Sequence, residues 1–208
     1  YQDDRDASEL PYAQRIANTF HTDHHEYILE SDEFFTSLDL LLEYTEEPIV
    51  ESAAIALFHL SRLAKEHVTV ILSGEGSDEI LAGYPLYPIM ARLDRIHRVF
   101  GYLPSWMLEC LSTSIKANEK YSKYVDWIRM PLINRYRGIS NDVTPSIKRR
   151  MYQPGFASRL GNDSDVFFEK LFGTLSKSSP LRKMGYLDIK SWLPDDLLVK
   201  ADKMTMAN

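Results

Sequence analysis

A single cysteine, Cys110, stands in 208 residues, so no internal disulfide forms and the fold rests on non-covalent packing. Cys110 lies among Trp106, Met107, Leu108 and Leu111, with no basic residue within four positions to favour a thiolate. It reads as a small apolar core residue rather than a nucleophile, and points to a reduced, intracellular protein. No run approaches the roughly 18 apolar residues that span a bilayer. The opening Tyr-Gln-Asp-Asp-Arg-Asp is the reverse of a signal peptide, so a soluble chain with no membrane partner is expected. Internal repeats and low-complexity tracts are also missing, which excludes solenoids and disordered linkers.

Neither sign of charge dominates, but the net −6 hides an asymmetry. Residues 1–50 carry thirteen Asp/Glu against two Arg, and residues 116–150 carry nine Lys/Arg against three Asp/Glu. An acidic first part disfavours nucleic acid there. The basic stretch, with Tyr121, Tyr124 and Trp127, could stack RNA, but Tyr124, Trp127 and Ile128 at helical spacing are more simply a buried helix face, and no nucleic-acid partner is expected.

What is present alternates helix and strand over the first 95 residues. Ser8 as N-cap and Pro11 in the first turn open a helix carrying Tyr12, Ile16 and Phe20 and ending near His21. His24 to Leu29 suits a strand. A second helix runs from Asp32 to the break at Glu46-Glu47-Pro48, and a third from Ser52 to Lys65. Val68 to Leu72 is an almost unbroken β-branched run, as a parallel strand buried on both faces requires. Beyond Tyr87 short helical stretches dominate, at 90–100, 104–117, 119–129 and 165–176.

Ser73-Gly74-Glu75-Gly76-Ser77-Asp78-Glu79 follows that run, where open α/β sheets place ligands. Two glycines and a helix start favour an anion. A Walker A loop is excluded because no Gly-Lys-Ser/Thr follows, and a dinucleotide fingerprint because Glu79 replaces the third glycine. Three carboxylates, Glu75, Asp78 and Glu79, would repel phosphate unless a divalent cation bridged them, which suits magnesium. The competing reading is that they only favour a helix N-terminus. His21, Asp23, His24 and His25 invite a zinc reading, but adjacent histidines of a strand point to opposite faces.

The block Ser73 to Tyr84 resembles the second nucleotide motif of the asparagine synthetase family's ATP-pyrophosphatase domain. Pro11-Tyr12-Ala13, Thr22 to Glu26, Glu47-Pro48 with Glu51-Ser52, Leu60-Ser61-Arg62 and Leu193 to Ala207 resemble further family blocks in the same order. The resemblance implies a parallel-sheet α/β core fragment, mostly helical, with a helical extension. Residues 1–95 would belong to the core, 96–184 to the extension, and 185–208 to a helix returning to the core.

The family's activity implies an ATP-dependent amidotransferase, a cytoplasmic ligase that adenylates the aspartate side chain and forms asparagine with ammonia derived from glutamine. Carried over residue by residue, Ser73, Gly74, Glu75 and Gly76 would contact ATP, Asp78 would bind Mg2+, and Glu75 would take a proton from the attacking ammonia. Glu79, Tyr84, Asp202 and Lys203 would line the active site. Asp196, Lys200 and Lys203 at i, i+4, i+7 also fit a solvated ion-pair stripe. Glu75, where related β-lactam-forming synthetases carry tyrosine, favours an amidotransferase over a cyclase. Glu51, Ala53 and Ala56 depart from the family's aspartate, serine and proline, which bears on the acceptor. The alternatives are a relative amidating another carboxylate, or a non-catalytic scaffold retaining the fold. Implied partners are the glutaminase domain of the same polypeptide and a second copy in a homodimer. The family's Ser-Gly-Gly-x-Asp-Ser loop is expected before Tyr1, and its Leu-Glu-x-Arg block beyond Asn208. The chain is therefore expected to be a fragment, inactive by itself.

Overall fold

The computed structural model describes residues 9–45, 51, 53–100, 127–139, 150–157, 159 and 163–208. Ser8, the Glu46-Glu47-Pro48 break, Ser52, Cys110 and most of the basic stretch lie outside them. The described elements are α1 (Leu10–Phe20), α2 (Ser31–Tyr44), α3 (Ala53–Lys65), α4 (Ser77–Leu81), α5 (Leu86–Phe100), α6 (Leu132–Arg135), α7 (Pro154–Ala157), α8 (Asp163–Thr174), α9 (Pro180–Lys190), a π-turn (Leu193–Leu197) and α10 (Leu198–Met206). They divide between two compact units, Tyr1–Ser73 with Asp196–Asn208, and Gly74–Asp195.

In the first unit α1 begins with Pro11 in its opening turn, where a missing N–H costs nothing, and ends at His21 in a left-handed conformation with φ 54°. Glu9, not Ser8, occupies its N-cap position. α10 packs on α3 through Ala54, Phe58 and Met204, edged by Leu41, Leu57 and Ala207. The Asn208 amide reinforces the junction by donating to the carbonyls of Phe58, at 3.1 Å, and Met204, at 3.2 Å.

Two expectations for this unit are not met among the described residues. Val68–Leu72 is neither helix nor strand, with a bend at Thr69, and Leu72 is 95% exposed, so the burial expected of this run is not realised among the described residues. A parallel strand needs neighbours for its N–H and C=O groups and layers on both faces. Among the described residues no strand ladder forms, His24 to Leu29 included, so neither requirement is met. Tyr12, Ile16 and Phe20 keep the predicted helical spacing, yet they face solvent, and Ala17 is the buried residue of α1.

The second unit has the larger core: Tyr87, Met90 and Leu93 of α5, Leu132 of α6, Tyr136, Phe172 of α8, and Met184 and Leu187 of α9. α9 starts at a regular cap, with Ser179 Oγ accepting from the Arg182 N–H at 3.3 Å and Pro180 opening the helix. The helix expected to return to the core over 185–208 is divided into α9, the π-helical stretch Leu193–Leu197 and α10. Among the described residues, no helix is long and apolar enough to cross a membrane.

Candidate functional site

The turn expected to hold nucleotide lies at the start of the second unit and is closed on itself. The Ser77 N–H and hydroxyl both donate to the Gly74 carbonyl, at 3.2 and 2.6 Å. Gly76 adopts φ 89°, the left-handed region that a side chain disfavours. A Cβ there would also press on Leu193 at 3.2 Å. α4 then runs for five residues and ends at Ala82 in another left-handed conformation, φ 60°. Asp78 curls back over Gly83, where any Cβ would collide with its carboxylate.

The three carboxylates part company. Asp78 is exposed and Glu75 half-buried, whereas Glu79 is 3% exposed. The Tyr84 hydroxyl donates to Glu79 Oε1 at 2.7 Å. Burial first, and this carboxylate second, push the Tyr84 hydroxyl above its ordinary range, with the Trp192 indole opposing. Glu79 is thus turned into the protein, and two carboxylates remain toward the solvent side. Among the described residues no three His, Cys, Asp or Glu gather as a metal cage. A donor set of one or two carboxylates fits magnesium, which takes few protein ligands and completes its shell with phosphate and water.

Ser73 and Gly74 are exposed, at the boundary between the units. Asp202 and Lys203 lie on α10 in the first unit, exposed and half-buried respectively. The solvated stripe does not hold for Lys200, which is 4% exposed and forms an ion pair with Glu51. Glu51 thereby has a structural partner at the position where the family commonly has aspartate.

Sequence reasoning missed the most enclosed polar group of the second unit. Asp188 of α9 is fully buried, and its Oδ2 accepts from the Tyr87 hydroxyl at 2.6 Å and from the Tyr136 hydroxyl. Burial pushes its pKa up to about 6, the two hydroxyls and the Ile139 amide pull it back, and Glu79 pushes it further up. The signal was there: Asp188 shares the stripe of Met184, Gly185 and Leu187, a lone acid on a buried helix face.

Against this geometry stand the comparisons with known proteins. The asparagine synthase family profile matches residues 1–208. The chain belongs to the asparagine synthase family. It is similar to asparagine synthetase [glutamine-hydrolyzing] 1 of Bacillus subtilis, 32% identical over 205 residues, covering 97% of this chain and 31% of that protein. It is also similar to a putative asparagine synthetase [glutamine-hydrolyzing] of Mycobacterium bovis, 31% identical over 204 residues, covering 97% of this chain and 30% of that protein. A putative asparagine synthetase [glutamine-hydrolyzing] 2 of Methanocaldococcus jannaschii matches at 30% over 95 residues, 46% of this chain and 18% of that protein. The chain thus spans about a third of the length of the first two relatives. No solved structure matches. The asparagine synthase domain is of the ATP-pyrophosphatase-like class, and the described part of it in this chain is mostly helical.

Proposed function

We propose that this chain is the central part of the synthetase domain of a glutamine-dependent asparagine synthetase, using ATP and Mg2+. The observation that carries the reading is the turn of residues 74–83, in which a closed glycine bend presents Glu75 and Asp78 while Glu79 is turned inward. The family match over the whole chain supports the reaction class.

In the proposed reaction an aspartate side-chain oxygen attacks the α-phosphorus of ATP, the α–β anhydride bond breaks, and pyrophosphate leaves. Ammonia from glutamine then attacks the acyl carbon, a proton passes to a Glu75 carboxylate oxygen, and AMP departs with the bonding pair. Ser73, Gly74 and Gly76 contribute backbone to the nucleotide, and Asp78 holds the cation. When bound, magnesium offsets the charge that grows on the leaving pyrophosphate. Removing the proton prevents the ammonium-like adduct from expelling ammonia again. Tyr84, through Glu79, braces the turn, and Asp202 and Lys203 are assigned to the active-site lining on the family motif alone.

In this reading residues 1–95 and 185–208 belong to an α/β core whose sheet includes Val68–Leu72, with 96–184 as a helical extension. The partners are the glutaminase domain of the same polypeptide and a second copy in a homodimer, in the cytoplasm. The departures at Glu51, Ala53 and Ala56 favour, as a second reading, a relative that amidates another carboxylate.

The test is to supply the full-length protein with glutamine, ATP, Mg2+ and aspartate, and to measure pyrophosphate and asparagine. Both should appear in equal amounts. Pyrophosphate only with another acid would select the second reading, and none with any acid would leave a non-catalytic scaffold. Asp78→Asn should lower the magnesium-dependent rate at least about 100-fold, as loss of a charged transition-state contact does; a retained rate removes the metal assignment.

A further inference from the structure

α4 is too short to hold itself in place. A five-residue helix forms about one turn, and an isolated helix of that length is unstable in water. Its placement, and that of Asp78 in its first turn, must come from what it packs against.

The second unit supplies a closed circuit of contacts. On α9, Gly185 faces the Glu79 carbonyl so closely that a Cβ would lie 2.8 Å from the oxygen. One turn later on the same face, Asp188 accepts the Tyr87 hydroxyl of α5. The Tyr87 ring meets Tyr84 edge-on, with centroids 5.6 Å apart, and the Tyr84 hydroxyl returns to Glu79 on α4. Tyr136 adds a second hydroxyl to Asp188 from outside this circuit. Gly185 sets how near α9 comes to α4, and Asp188 sets which way the Tyr84–Tyr87 pair faces.

We propose that Asp188 is a positioning residue for the site: through Tyr87 and Tyr84, and beside the Gly185 contact, it holds α4 so that Asp78 meets magnesium-bound ATP. It touches neither nucleotide nor metal. This rests on the function proposed above for its catalytic consequence, but not for the ordering of α4.

The test uses the full-length protein with Asp188→Ala, Asp188→Asn and Tyr87→Phe. Asparagine retains one oxygen able to accept both hydroxyls; alanine retains none. Asp188→Ala should raise KM for magnesium-ATP at least about tenfold while KM for aspartate changes less than about threefold, and Asp188→Asn should restore most of the difference. Independently of turnover, hydrogen exchange of the Ser77, Ile80 and Gly83 amides should quicken at least about tenfold in Asp188→Ala, with α3 and α10 unchanged. These amides donate to Gly74, Gly76 and Asp78 carbonyls and so report α4 itself. Folded Asp188→Ala with an unaltered magnesium-ATP KM, or with unaltered exchange at those amides, overturns the proposal. Should Asp188→Ala fail to fold, Tyr87→Phe is read by the same two criteria. If the unsubstituted protein releases no pyrophosphate, the proposed function fails, and exchange decides the positioning role.

Discussion

His59 in the first unit and Asp188 in the second are both buried titratable groups, and acid acts on them in opposite directions. Ser37 Oγ donates to the Glu33 carbonyl at 2.7 Å, so His59 Nε2–H donates to Ser37 Oγ at 2.8 Å. Nδ1 is left as an acceptor facing the Arg62 guanidinium at 3.2 Å, with Glu33 at 3.3 Å and the Tyr27 hydroxyl at 3.4 Å. Burial lowers the His59 pKa, Glu33 opposes, and Arg62 adds to the lowering. Asp188 faces two hydroxyls and the Ile139 amide, and feels the charge of Glu79. In both, burial disfavours the charged form. A neutral histidine is the state of higher pH, and a neutral carboxyl the state of lower pH. The same physics therefore gives the two units opposite responses to acid.

The largest expected effect tests how the first unit buries charge. Lys200→Met should destabilise that unit by about 3 kcal/mol, since it strips Glu51 of its buried counter-charge. Pairing it with Glu51→Met should recover much of the loss. Denaturant titration of the full-length protein, followed by exchange on α10, reads both; equal loss in single and double variants would mean packing, not charge, holds the pair.

Next is the pH response of the second unit. The folded pKa of Asp188 lies above its ordinary 3.8, so its contribution to stability is complete below about 4 and is lost as pH rises through about 6. That interval bounds the effect at roughly 3 kcal/mol. Asp188→Asn should flatten this slope, measured as amide protection in α9 between pH 4 and 8; an unchanged slope assigns the titration elsewhere. Gly185→Ala should cost about 1–3 kcal/mol by forcing α9 away from the Glu79 carbonyl, read in the same exchange experiment.

The smallest effect completes the comparison. The depressed His59 pKa means stability present above its ordinary 6.5 and lost as pH falls below it. Exchange across α2 and α3 should therefore quicken toward pH 5 while α9 slows. The two units moving together would break the contrast.

Much of the helical layout was legible because apolar spacing reports which residues share a helix face. α2 and α3 lie within a residue or two of their expected spans, and of the apolar face that the spacing of α3 predicts, Ile55, Leu57, Phe58, Leu60 and Leu63, Ile55 and Phe58 are buried, Leu57 and Leu63 half-buried and Leu60 47% exposed. Val68–Leu72 pairs with no strand among the described residues, because a β-branched run signals what a segment needs and not where its partners lie. Glu79 was grouped with Glu75 and Asp78 because all three share one short stretch. Its inward turn depends on Tyr84, and no local pattern encodes that.

Taken alone, the sequence determined the family motif, the glycine bend and the acids available to it, because those are properties of neighbouring residues. Only the tertiary structure decided which acids face outward, that Lys200 and Glu51 are partners across 149 positions, and that Asp188 gathers Tyr87 and Tyr136. These follow from burial, which charges each polar group the cost of leaving water and lets it remain only where a distant residue supplies the missing hydrogen bond.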